Sequence, residues 1–289
     1  MDTLRRCVGD PASFLTDVWQ QRPALLSPAE PPVDVFPPAE MERLLDHGLP
    51  MSPYIELVQH NGTVPPERFC RRGAFMDRAE TLCPDAALVR RLVLSEGAGI
   101  LLRYVEHWHP GVRQLTEGLA AALGRNVEAF YFFTPPQVQS RPVHRDDADV
   151  LAIQVSGRKE WRVYEGPTSD SWTPKAVEQP ACAPLLQVTT GPGDVLYIPR
   201  GYAHAAKAVG NVRSVHLSLT IREAGSAELK EALVDALLSD LELPVRPLGD
   251  LQLTRTAEQF LEGLRERLEK LDAQSLLEAA RARAHGFAG

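Results

Sequence analysis

Six short runs follow one another between Val127 and Ile221: "VEAFYFF", "VLAIQV", "EWRVY", "LLQVTT", "DVLYIP" and "SVHLSLTI". Each is rich in β-branched or aromatic residues, and Gly and Pro turns separate them, which is the pattern of strands rather than helices. Many short strands bury their apolar faces by closing into a small barrel or by stacking as two sheets. The flanks read differently. "TLCPDAALVRRLVLSEGAGILLRYVEHWHPGVRQLTEGLAAALG" spaces Leu, Val and Ile mainly at helical intervals, and "SAELKEALVDALLSDL" and "TAEQFLEGLRERLEKLDAQSLLEAARARA" do so after Arg222.

Near the start, "PASFLTDVWQQRPALL" puts Phe14, Leu15, Val18 and Trp19 at helical spacing before Pro23 stops the run. "SPAEPPVDVFPP" is too rich in proline for regular structure and connects to a helix at "AEMERLLDHGL". The expected organisation is a helical and connecting region over 1–126 packed on the barrel, a strand core over 127–223, and a helical region over 224–289. The apolar stripes of that last region need a partner surface, either the barrel or a second subunit in a homodimer.

The chain has 289 residues, a 44% hydrophobic share and a net charge of −7 with both signs interspersed. That balance argues against a nucleic-acid partner. Cys7, Cys70, Cys83 and Cys182 form no C-x-x-C pair and suggest neither a zinc knuckle nor a disulfide framework, which fits a reducing, cytoplasmic setting. "MDTLRRCVGDPASFL" has no apolar signal region, and no window reaches the roughly 18 apolar residues of a membrane span, so neither export nor a membrane is expected.

His144 and Asp146 form an H-x-D pair, weak by itself, because 38 acidic residues and eight histidines in 289 positions make about one such pair by chance. On a strand or its extended lead-in, however, residues i and i+2 point the same way and can grip one ion. The alternative is a surface histidine beside a turn. "GDVLYIPRGYAH" is more specific: Pro199 ends a strand, Gly201 permits a tight turn, and the next strand starts by aiming His204 inward. It matches the second cupin motif, G-x5-P-x-G-x2-H, at every fixed position; the alternative is a histidine that only packs at a corner. Together His144, Asp146 and His204 would make a 2-His-1-carboxylate facial triad with three positions left open, the non-haem Fe(II) arrangement.

"HRDDADVLAIQVSGRKEWRVY", "GDVLYIPRGYAH" and "SVHLSLT", and more loosely "FLTDVWQQRPALL", resemble the JmjC-type cupin hydroxylases, in particular the group containing the ribosomal oxygenases. The resemblance implies a double-stranded β-helix (cupin/JmjC jelly roll) with N-terminal helices and a helical C-terminal extension. It also implies Fe(II) held by His144, Asp146 and His204, with 2-oxoglutarate and O2 as co-substrates. The far carboxylate of 2-oxoglutarate would pair with the basic residue of the "GRKxW" hairpin, here Lys159, and a hydroxyl at Ser218 would help hold it. The implied reaction is hydroxylation of a protein or peptide side chain, with release of succinate and CO2.

Parity supports Lys159 independently. It shares a strand face with Trp161 and Val163, and a lysine placed inward needs an anion unless it snorkels out at the strand end. "SVHLSLTI" alternates between Val215, Leu217, Leu219 and Ile221 on one face and His216, Ser218 and Thr220 on the other, so the polar face is expected to line the pocket. His216 competes with His204 as third ligand, and the motif favours His204. The family commonly has Asn-x-Tyr-x-Thr-Pro before the H-x-D; this chain keeps Thr134 and Pro135 but has Phe130 and Phe132, which predicts a drier pocket. The residues after the last strands are also few for the winged-helix region of the ribosomal oxygenases. "HWH" at 107–109, followed by Pro110 and Gly111, reads as a turn with an aromatic anchor rather than a metal pair. A G-x-S-x-G elbow and a phosphate loop are both absent. The other readings are a metal-dependent cupin acting on a small molecule, as an isomerase or dioxygenase, and a non-catalytic binding protein.

Overall fold

Polar caps and prolines start the helices where the sequence places them, and apolar parity decides how the strands are covered. The computed structural model describes residues 2–59, 62–75, 78–139, 141–169, 172–177, 182–238 and 246–285. The chain divides into two units, 1–123 with 127–221, and 124–126 with 222–289.

The first unit begins with helices α1 (Thr3–Val8) and α2 (Pro11–Asp17), strand β1 (Ala24–Leu26) and helix α3 (Pro38–His47). Asp2 and Asp10 cap the first two helices, accepting from the amides of Leu4 and Ala12. Strands β2 (Ile55–Gln59) and β3 (Gly62–Thr63) and a separate hairpin, β4 (Cys70–Phe75) with β5 (Arg78–Pro84), follow. Helix α4 (Ala86–Glu96), capped by Asp85, leads to β6 (Gly99–Leu102) and to helices α5 (Val105–Trp108) and α6 (Pro110–Leu123). The remaining strands are β7 (Asn126–Thr134), β8 (His144–Arg145), β9 (Asp149–Ser156), β10 (Arg158–Val163), β11 (Lys175–Ala176), β12 (Leu186–Thr190), β13 (Val195–Ile198), β14 (His204–Val209) and β15 (Ser214–Arg222).

They form an eight-stranded sheet, ordered β1-β13-β9-β15-β7-β6-β2-β3, and a five-stranded sheet, ordered β11-β8-β14-β10-β12. From β7 to β10 and again from β12 to β15, successive strands alternate between the two sheets, as the winding of a jelly roll requires. The central strands β13, β9 and β15 of the large sheet are buried on both faces. Leu151 and Ile153 of β9 and Val215, Leu217 and Leu219 of β15 join Phe14, Met41, Leu92, Val112 and Leu119 of the helices in the main core. Val150 and Ala152 face the other way and pack with Trp161, Val163, Leu196 and Ile198 between the sheets. Double coverage is why "VLAIQV" is apolar without alternation. Each large aliphatic side chain so buried stabilises the fold by about 1.5–3 kcal/mol.

Two segments of the stretch expected to be mainly helical are strands: "TLCP" at 81–84 ends β5, and "GILL" at 99–102 pairs with β2 and β7; beyond the Pro23 stop, "ALL" at 24–26 pairs antiparallel with β13. A four-residue apolar run has no legible period, and here sheet edges rather than local spacing decide it. The N-terminal region therefore extends the main sheet as well as covering it with helices.

The second unit holds helices α7 (Ser226–Leu238), α8 (Asp250–Lys270) and α9 (Ala273–His285). The apolar stretch that reads as continuous is split at Asp272, whose carboxylate accepts from the amides of Gln274 (2.8 Å) and Ser275 (3.0 Å) and so starts a new helix. Within this unit Glu223 is clamped by Arg281 (3.0 Å) and Arg125 (2.6 Å). Among the described residues, no helix is long and apolar enough to cross a membrane.

Candidate metal centre and adjoining pockets

The H-x-D lead-in and the proline corner meet because β8 pairs with β14. His144 and His204 are direct cross-strand partners, with ring centroids 4.4 Å apart. The backbone locks the meeting: the Gly201 amide donates to the Asp146 carbonyl at 2.9 Å, and the Arg145 guanidinium donates to the Gly201 carbonyl. Gly201 has φ +83°, and a Cβ there would meet Pro167 Cδ at 2.9 Å, so the corner needs glycine for both conformation and space.

Each imidazole is oriented by its own chain. His144 Nδ1 lies 2.9 Å from the Pro142 carbonyl and His204 Nδ1 3.0 Å from the Tyr202 carbonyl. A carbonyl only accepts, so each Nδ1 carries a proton, and in the neutral ring each Nε2 is the atom that presents a lone pair. The Asp146 carboxylate stands 3.8 Å from His144 Nε2 and 3.5 Å from His204 Nε2. One ligand atom from each of the three lies within 4.8 Å of the others. Burial and the neighbouring His204 pull the His144 pKa down to about 4, which keeps the ring neutral and able to bind a metal at ordinary pH. Two imidazoles and one carboxylate on one side of an open pocket suit a divalent first-row metal.

Deeper in the same pocket lies Lys159, 3% exposed on β10. Its Nζ donates to Thr134 Oγ1 at 3.1 Å and to His216 Nδ1 at 3.0 Å. Among the described residues no carboxylate pairs with it, and burial alone drives its pKa down to about 7. A buried ammonium without an anion is an unmet electrostatic demand, which a carboxylate entering the pocket would satisfy. Ser218 and Thr134 line the pocket with it. Behind Lys159, Trp161 Nε1 donates to Thr190 Oγ1 (3.2 Å), which donates to Gln154 Oε1 (3.0 Å) and closes that end with a satisfied buried network.

His216 stands outside the metal cluster. Its ring stacks on Phe132 at 4.6 Å and 2°, meets Trp161 edge-on at 5.3 Å, and accepts from Lys159. Burial and the lysine charge hold its pKa well below the usual histidine value, so it is a neutral acceptor. Of the two phenylalanines that replace polar family residues, Phe132 lines the pocket, whereas Phe130 packs with Tyr104 beside Arg103. His109 packs against Phe36 (4.9 Å) and accepts from the Val112 amide, and His107 stacks on Tyr104; neither joins the metal cluster. The sequence reading missed Val150, Ala206 and Arg141 in the lining. Val150 was recoverable from strand parity with Ala152, whereas Arg141 sits in irregular chain that carries no periodic signal.

A second, larger groove opens alongside, about 210 Å³ against about 70 Å³, and shares Arg141 and His144 with the metal pocket. Glu56 and Val58 of β2, Gln59, Gly62 and Thr63, and Leu101 of β6 form its far wall.

Residues 109–229 match the JmjC domain family. The chain is 37% identical over 111 residues to ribosomal oxygenase 1 of Homo sapiens, covering 37% of this chain and 17% of that protein. It is 31% identical over 150 residues to the bifunctional lysine-specific demethylase and histidyl-hydroxylase NO66 of Culex quinquefasciatus, covering 50% and 23%. It thus spans about a quarter or less of the length of these curated relatives. The X-ray structure of E. coli ycfD superposes with a TM-score of 0.55 at 23% identity, over 92% of this chain and 68% of that one. The structure of YcfD, a ribosomal oxygenase from Escherichia coli, in complex with cobalt and 2-oxoglutarate gives 0.54 at 22%, over 91% and 66%. These superpositions show that the two chains share the fold.

Proposed function

We propose that this chain, whose residues 109–229 form a JmjC domain, is an iron(II)- and 2-oxoglutarate-dependent oxygenase that hydroxylates a side chain of a protein or peptide. The observation that carries the reading is the pairing of two chemistries in one pocket: His144, Asp146 and His204 within 4.8 Å, and the buried, anion-free ammonium of Lys159 behind them. A metal-dependent cupin acting without a dicarboxylate co-substrate has no use for that lysine. The relatives named ribosomal oxygenase and histidyl-hydroxylase support a protein substrate, with a ribosomal protein as the first candidate.

Iron(II) with 2-oxoglutarate supplies the oxidising power from dioxygen, with succinate and CO2 as by-products. The rest is the work of side chains. His144 and His204 hold the metal through Nε2 while their Nδ1 protons are committed to backbone carbonyls, so the rings cannot swing away. Asp146 adds the single negative charge and leaves the metal site with a net positive one. Lys159 uses two of its three N–H groups on Thr134 and His216, and the third is free for the far carboxylate of 2-oxoglutarate. Thr134 accepts from the lysine, so its own proton is available to that carboxylate, and Ser218 presents a second hydroxyl. Phe132, Val150 and Trp161 keep the surroundings dry, which strengthens these contacts.

The test is direct. Purified protein titrated anaerobically with Fe(II) binds one equivalent and, given ascorbate, air and 2-oxoglutarate, releases succinate; Asp146→Ala and His204→Ala do neither. A wild-type protein that binds no iron sinks the proposal. Buried Cys7 and Cys70, held as thiols, support a reducing, cytoplasmic setting. The exposure of Leu251 (69%), Leu253 (57%), Leu261 (52%) and Leu268 (56%) on α8 supports a homodimer built on that helix.

A further inference from the structure

The groove beside the metal pocket carries an electrostatic imbalance. Two charged side chains other than the ligand His144 line it, Glu56 and Arg141. Glu56 is already neutralised by Arg103, whose guanidinium donates to it at 2.8 Å while lying over the rings of Tyr104 and Phe130. Gln59 spends its amide on the Glu96 carbonyl at 3.1 Å. Arg141 is different: among the described residues no carboxylate pairs with it, and it belongs to the lining of both pockets.

The neighbourhood of Arg141 contacts the strands: the Ala208 amide of β14 donates to the Val138 carbonyl at 3.0 Å, and the Gln139 side chain donates to the Arg141 carbonyl at 3.0 Å. Arg141 stands at the seam between the two pockets, three residues before His144. A planar five-donor group in that position is matched by a carboxylate. The rest of the groove wall mixes apolar Val58, Leu101 and Pro142 with Gln59, Gly62 and Thr63, and its strand β3 is an edge of the large sheet, where an extended peptide can lie alongside.

We propose that this groove selects a peptide segment bearing an aspartate or glutamate side chain next to the residue to be oxidised, with Arg141 as the specificity-determining contact. The inference rests on the reading of the metal pocket as a hydroxylation centre, and its test separates the two. The probe is a pooled random nonapeptide library, acetylated and amidated to remove terminal charges, equilibrated anaerobically with protein loaded with Mn(II) and 2-oxoglutarate. Retained peptides are identified by mass spectrometry. Wild-type protein enriches Asp- or Glu-containing peptides about fivefold over their Asn and Gln counterparts, the value of a half-exposed ion pair. Arg141→Gln abolishes the enrichment and Arg141→Glu inverts it towards Lys and Arg; both variants melt as wild type because the side chain is exposed. Absence of acidic enrichment in the wild type, or enrichment that survives Arg141→Gln, overturns the proposal. So does a requirement for a free C-terminal carboxylate, found by repeating the selection with an unamidated library. Succinate release in air, measured on the same protein, reports separately on the oxygenase reading.

Discussion

Lysine 159 offers the sharpest perturbation, because the charge proposed to bind 2-oxoglutarate is also one that burial penalises. In the free pocket burial lowers its pKa from 10.5 to about 7, a penalty on the ammonium of about 5 kcal/mol at about 1.4 kcal/mol per unit. A carboxylate that pairs with Nζ removes much of that penalty and raises the lysine pKa in the complex. The sign follows. Below pH 7 the lysine is already protonated and 2-oxoglutarate affinity is flat; above pH 7 binding must take up a proton, and affinity falls about tenfold per pH unit until the pKa of the complex is reached. Between pH 6 and pH 9 this amounts to about a 100-fold loss. His216 does not confuse the window, since its pKa is held well below the usual value, and His144 titrates near 4. Truncating one partner of a desolvated charge pair costs about 2–5 kcal/mol, so Lys159→Met weakens binding at pH 6.5 by at least about 30-fold and flattens the pH dependence. Anaerobic calorimetry with the Mn(II)-loaded protein, in two buffers of different ionisation enthalpy, reads affinity and proton uptake together. A wild-type affinity constant from pH 6 to 9, or a Lys159→Met affinity within threefold of wild type, refutes the reasoning.

The same substitution should stabilise the fold. With the folded pKa depressed, the unfolded chain binds the lysine proton more tightly, so stability rises with pH between about 7 and 10.5, and Lys159→Met raises Tm at pH 7 in a thermal melt. Gly201→Ala, which puts a Cβ 2.9 Å from Pro167 at φ +83°, should cost about 1–3 kcal/mol in denaturant melts and weaken metal binding by displacing His204. His216→Phe keeps the stack on Phe132 but removes the Nδ1 acceptor, so 2-oxoglutarate affinity drops several-fold with metal affinity unchanged. Leu261→Glu with Leu268→Glu on α8 should convert a dimer into a monomer in light scattering; an unchanged mass removes α8 from the interface.

Local pattern settled a good deal of this molecule. The turn chemistry of Pro199 and Gly201 announced a strand that begins at His204, and period-2 parity put Lys159 and Trp161 on the inner face of β10 and His216 and Ser218 on that of β15, because those signals depend only on neighbouring residues. Tertiary structure decided the rest. An H-x-D pair no more frequent than chance became a candidate metal centre only when β8 met β14 and set His144 opposite His204. "ALL" and "GILL" became strands because edges of the large sheet were available to pair with them. His216 became the acceptor that orients Lys159 rather than a rival ligand because the opposing sheets fix their separation. Arg141 gained meaning from two pockets that share it. Sequence determines which way a side chain points from its own strand; which side chains meet, and which charges are left without partners, is set by the pairing of strands distant in the chain.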